Sequence, residues 1–122
     1  MKKKLIQDKT FSYYFWLVWD CTEEEYLNWW YKKTGHKVNA NDSYGKSTFW
    51  EDEERRIVGL WINRKNNVET LSHEILHIIR FWLQEFNGID LNKETEEIYT
   101  TIHSYFMRKC LKELGLEKFI AN

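Results

Sequence analysis

Two histidines one helical turn apart, with a glutamate directly after the first, are the side chains in this sequence best placed to do chemistry. They sit in "TLSHEILHIIRFWLQ", residues 70–84. Successive residues of a helix rotate by about 100°, so His73 and His77 project from one face. Two imidazoles so placed can converge on one ion at about 2.0–2.1 Å. Glu74 is rotated away from both, too far round to be a natural third ligand. It falls instead beside an open coordination position, where a carboxylate can take the proton of a coordinated water. Leu71, Ile75, Leu76, Ile79, Trp82, Leu83 and Phe86 gather on the other side. One helix thus carries a core face and a separate His/Glu face.

Two histidines make a poor catalytic zinc site, which normally has three protein ligands and a water. A third histidine further along the same helix, after a glycine, is excluded, because Arg80 and Leu83 hold those positions. A carboxylate from the next helix is the remaining route, and Glu94, Glu96 and Glu97 are available. The apolar stripe of that helix is Ile98, Tyr99, Ile102, Phe106 and Cys110, with Leu114 at one margin. Glu96 falls at the margin of the stripe on the side of His103. Glu97 falls opposite, with Thr101, Ser104 and Arg108, and Glu94 is intermediate. Glu96 is therefore the expected third ligand.

The elements that must position these groups follow from pattern and caps. "FSYYFWLVWD" (11–20) is aromatic and β-branched and reads as a buried strand. Thr22 with Glu25 forms a capping box opening a helix that stops at Gly35. A turn-rich loop (36–45) follows. Residues 46–52 and 56–64 read as an antiparallel hairpin. Asn66 with Glu69 predicts a second capping box, for a helix over about 67–87 that ends before Gly88. A last helix is predicted over about 93–114. The order β-α-β-β-α-α implies an α+β domain, an antiparallel or mixed sheet with the helices packed on one face.

At 122 residues the chain is expected to be a single domain, 1–122. A net charge of -1 and a pI near 6.4 give no electrostatic footprint for nucleic acid. Cys21 and Cys110 stand far apart without a C-x-x-C pair, as in a reduced intracellular protein. The start "MKKKLIQDKTFSYYFWLVW" has a basic, then apolar, character. Gln7-Asp8-Lys9 breaks the apolar region, and no small-residue cleavage site follows, so a signal peptide is not expected. No run is long enough for a membrane span. The expectation is a cytoplasmic protein with no nucleic-acid or membrane partner.

"SHEILH" on a helix, a glycine at its end, then "ETEEIYTTI" opening another helix resembles a minimal gluzincin, the His₂Glu zinc-metallopeptidase group. The chain is particularly similar to small H-E-x-x-H proteins encoded by phages and prophages, over about residues 56–106. The resemblance implies a zincin-like core with zinc as cofactor, the strand at 57–63 near the cleft, His73, His77 and Glu96 as ligands, and Glu74 as base. Thr100 stands where larger gluzincins often place an Asp that orients a ligand histidine.

The function expected is a zinc-dependent hydrolase that cleaves a peptide bond. Its substrate, a peptide or protein, would add along an exposed edge of the 57–63 strand. His103 is a further catalytic candidate, as an oxyanion stabiliser or substitute ligand. Tyr99 is read as a core ring that could also donate to an intermediate, Arg80 as a surface cation within reach of a substrate carboxylate, and His36 as a loop residue without an evident partner. The alternative is a non-catalytic binding protein, of phage type, with a structural or vestigial zinc. Its contact patch would come from the exposed rings among Trp16, Trp19, Trp29, Trp30, Trp50 and Trp61.

Overall fold

The computed structural model describes residues 1–10 and 12–120. Phe11, the start of the strand predicted at 11–20, lies outside them. In chain order the elements are β1 (Lys2–Asp8), β2 (Tyr13–Trp19), α1 (Glu23–Thr34), β3 (Gly45–Glu51), β4 (Arg56–Ile62), α2 (Val68–Arg80) and α3 (Glu96–Glu113). A π-helical turn, Phe81–Phe86, continues α2. A short 3₁₀ turn, Glu117–Phe119, follows α3.

The four strands form one mixed sheet in the order β1-β2-β4-β3. β2 and β4 run parallel, and the outer pairs are antiparallel. Strand β1 was not anticipated from sequence. Its Lys2, Lys3 and Lys4 are exposed, as befits an edge strand that must resist further pairing.

Alternation along β2 and β4 sorts the core. Phe15, Leu17 and Trp19, with Val58, Leu60 and Ile62, meet Leu71, Ile75, Ile78 and Ile79 of α2, Trp82 of the π-helical turn that continues it, and Tyr99, Ile102, Phe106 and Cys110 of α3. Val18 and Trp61 point the other way and meet Tyr26 and Leu27 of α1. The helices therefore cover both faces, and the expected one-sided packing is corrected. The reason is legible in "FWLVW": a central strand without polar alternation needs cover on both sides.

Helix starts follow local chemistry. The Thr22–Glu25 capping box forms, with Glu25 N donating to Thr22 Oγ1 at 3.1 Å and Thr22 N to Glu25 Oε1 at 3.0 Å. The α2 cap lies one residue later than expected: the Asn67 side chain accepts from Thr70 N at 3.2 Å. Two apolar assignments change as well. Ile78 is fully buried while Leu76 is 39% exposed, and Ile98 on α3 is 43% exposed.

The strand expected to receive a substrate is also corrected. β4 is interior, paired on both sides, and β3 is the free edge beside α2. Among the described residues no helix is long and apolar enough to cross a membrane.

Gly59 on β4 sets the spacing of α1. A Cβ there would lie 2.2 Å from Tyr26 Oη and 3.2 Å from Trp30 Cζ3. Tyr26 Oη in turn hydrogen-bonds Thr48 Oγ1 at 2.5 Å, joining α1 to β3 under the sheet. Gly59→Ala must push α1 outward and is expected to destabilise the fold by about 2–3 kcal/mol. Urea denaturation of the variant beside wild type measures this; a change below about 0.5 kcal/mol would show that α1 yields without cost.

Candidate functional site

The core fixes the rotation of α2, and that rotation decides where the polar residues go. With Leu71, Ile75, Ile78 and Ile79 buried, His73 and His77 emerge on the exposed side and Glu74 turns toward β3. His73 Nε2 and His77 Nε2 lie 3.0 Å apart, their rings edge-to-face with centroids 4.6 Å apart. Glu74 Oε2 is 3.9 Å from His73 Nε2, and the Glu74 side chain is 10% exposed against 67% for His73. Among the described residues, His73, Glu74 and His77 form the one group of three such donors within 4.8 Å of one another.

This donor set fits a zinc ion. Two nitrogens on one tetrahedral ion at about 2.0–2.1 Å stand about 3.3 Å apart, close to the spacing observed. Glu74 Oε2 makes no hydrogen bond among the described residues and faces the imidazole pair.

Two residues of β3 that the sequence did not single out pack against this glutamate. A Cβ on Gly45 would lie 2.4 Å from Thr70 Cγ2 and 3.2 Å from Glu74 Cγ, so glycine lets α2 lie close over the strand. Ser47 Oγ is 3.0 Å from Glu74 Oε1 and 3.2 Å from the Glu74 carbonyl oxygen. Neither small residue stands out in a sequence, because its importance comes from what lies above it.

Two cavities flank the histidine pair. One, of about 480 Å³, is lined by Gly45, Ser47, Phe49, Glu74, His77, Arg80 and Phe81 along the β3 edge. Arg80 stands there without an ion pair among the described residues. The other, of about 630 Å³, lies between α2 and α3 and is lined by His73, Leu76, Leu91, Glu96, Tyr99, Thr100 and His103.

Glu96 therefore shares a cavity with His73, while Glu97 lines a different one with Ile98 and Thr101. Glu96 stands outside the three-donor cluster, is exposed, and makes no hydrogen bond or ion pair among the described residues. The closure expected from sequence is thus present as a shared cavity and not as a contact.

His103 bridges the helices. Its Nε2 donates to the carbonyl of Ser72 at 3.0 Å, with Ser72 Oγ at 3.3 Å. Tyr99 is a core ring whose hydroxyl donates to the Ile89 carbonyl. His36 has partners after all: its Nδ1 accepts from Trp30 Nε1 at 3.4 Å, and its ring stacks on Trp50. Of the six tryptophans of the alternative reading, Trp19, Trp30 and Trp61 are buried. Trp16 and Trp29 meet edge-to-face with Lys33 Nζ above them.

Comparison with protein-family models, with curated proteins and with solved structures returns no match.

The rim of the β3 cavity depends on Glu23, a buried carboxylate of α1. It accepts from Asn41 N and Asp42 N, each at 3.0 Å, from Ser43 Oγ at 2.5 Å, and pairs with Lys46 Nζ at 3.0 Å. Burial alone would raise its pKa. The Ser43 hydroxyl, the Lys46 ammonium and the Asn41 amide outweigh burial and hold the carboxyl below its ordinary value. A depressed carboxyl contributes stability that is complete above its unfolded pKa of about 4.3 and is lost as pH falls through the folded value. At pH 7, Glu23→Gln should cost about 2–3 kcal/mol. The gap to wild type should narrow below about pH 4. Thermal melts from pH 3 to 7 test this, and a gap independent of pH would sink it.

Proposed function

We propose that the chain is a zinc-dependent hydrolase, a minimal metallopeptidase, in which His73 and His77 hold the metal and Glu74 is the general base. The observation that carries this reading is the convergence of His73 Nε2, His77 Nε2 and Glu74 Oε2 at the surface of a helix whose other face is core. Zinc held there would supply Lewis acidity toward a carbonyl oxygen and acidify a water. The chain's own residues do the rest. Glu74 takes a proton with the oxygen that faces the imidazoles. Glu96, unpaired on the facing helix, is assigned as the third ligand.

The β3 edge supports a peptide as substrate. It is a free strand edge without the lysine row that guards β1, and it runs along the cavity that contains Glu74 and His77. An extended chain can add to such an edge by main-chain pairing. His103, tied to the α2 backbone, links α3, which carries Glu96, to the helix that carries His73.

Native purification followed by metal analysis should return one zinc per chain, lost in His73→Ala and His77→Ala. Glu96→Ala should weaken zinc binding by more than the roughly tenfold that loss of an outer partner costs. Glu97→Ala should leave it unchanged. Glu74→Gln should keep the metal and lower hydrolysis of fluorescent casein by at least about a hundredfold. A wild type free of zinc overturns the metal site. A zinc-loaded wild type that leaves casein and a random peptide library intact overturns the hydrolase.

A further inference from the structure

The contact between β3 and Glu74 has a chemical consequence. The carboxyl of a glutamate turns about a broad, two-fold torsion, so burial alone does not say which oxygen faces a substrate. Here Ser47 breaks that symmetry. Its Oγ lies 3.0 Å from Oε1 and 3.2 Å from the main-chain oxygen of the same residue, and its single proton is given to Oε1, the nearer acceptor and the charged one. With Oε1 held, Oε2 is the oxygen that faces His73 Nε2 at 3.9 Å. Gly45, two residues earlier on the same face of β3, removes the side chain that would lift α2 away and break the contact.

We propose that Ser47 is a positioning residue: its hydroxyl fixes the rotation of the Glu74 carboxylate, so that Oε2 faces the imidazole side, where a metal held by His73 and His77 would acidify a water. This rests on the reading of Glu74 as the base. It also places the aim of the base and the pairing edge for the substrate on one strand. A group supported from a rigid element is held more closely than one on a loop.

The test uses zinc-loaded full-length protein and acetohydroxamate, a small chelator whose ionisable hydroxyl stands where the attacking water would. Ser47→Thr keeps the hydroxyl and adds a methyl, Ser47→Val matches the Thr variant in shape with a methyl in place of that hydroxyl, and both suit a strand. Zinc affinity and Tm serve as controls, and acetohydroxamate binding is measured by calorimetry.

Ser47→Thr is expected to bind acetohydroxamate as wild type does. Ser47→Val should bind it about five- to tenfold more weakly, with zinc affinity unchanged. In a Glu74→Gln background the Val substitution should have no further effect, because the group it positions is gone. Equal binding by the Thr and Val variants overturns the proposal, and so does a Val effect that persists without Glu74. If wild type takes up no zinc, or loaded wild type does not bind acetohydroxamate, the metal site itself has failed. Failure of the site is thereby distinguished from failure of the positioning role alone.

Discussion

The close approach of α2 to β3 is the constraint on which the site depends. At Gly45 the two elements come so near that one added methyl would lie 2.4 Å from Thr70 Cγ2. That spacing puts the Glu74 side chain against the strand and leaves His73 and His77 outside. The force behind it is not polar. Each fully buried Leu or Ile on α2 contributes about 1.5–3 kcal/mol, while a hydrogen bond such as Ser47–Glu74 adds about 1. The core therefore sets the phase of the helix, and the polar residues take the orientations that phase leaves them.

The sheet order extends this logic to the surroundings. Because β2 and β4 are interior and parallel, α1 must cross one face while α2 and α3 cover the other. The Gly59 gap and the Tyr26–Thr48 bond seat α1 beneath β3. The Glu23 cluster then holds the 39–43 loop against Lys46, at one end of the cavity beside Glu74. Beyond His77, the π-helical turn packs Phe81 at a tilt against Phe49 of β3 with ring centroids 4.3 Å apart, closing the other end. A wider turn there redirects the side chains after Arg80, which is a recurrent use of π geometry near sites.

How far this was legible in the sequence depends on the range of the interaction. Thr22 with Glu25 and the apolar spacing of 71–83 act within a turn or two; the box read correctly, and the spacing did except that Ile78 rather than Leu76 is buried. The α2 cap was misassigned by one residue because Asn66 and Asn67 offer the same side chain, and only the path of the backbone chooses between them. β1 was missed because "KKKLIQD" has little apolar alternation; its pairing partner β2 supplies the reason it is a strand. The α1 face was available in principle, since "FWLVW" has no polar side to turn outward. Ser47 and Gly45 were beyond reach, because their roles exist only across the α2–β3 contact. Helical phase put Glu96 on the His103 side of α3, where it lines a cavity that His73 also lines, but a phase angle gives no distance.

A comparison within the chain bears on what Glu74 is for. Glu23 and Glu74 are both 7% exposed. Glu23 is what a structural buried carboxylate looks like: two backbone amides, a hydroxyl and an ammonium satisfy it. Glu74 has one serine hydroxyl on Oε1, and on Oε2 a histidine nitrogen at 3.9 Å. Removing a carboxylate from water without compensating charge costs several kcal/mol, and a single hydroxyl returns only part of that. The fold satisfies Glu23 wholly from protein groups, whereas it leaves Glu74 Oε2 without a protein hydrogen bond and open to solvent on the side that faces His73. Packing alone gives no reason for that asymmetry, since glutamine of the same volume would fill the space at lower cost. Under the proposed reading, a divalent cation at the imidazole pair would supply the facing charge and account for the free oxygen.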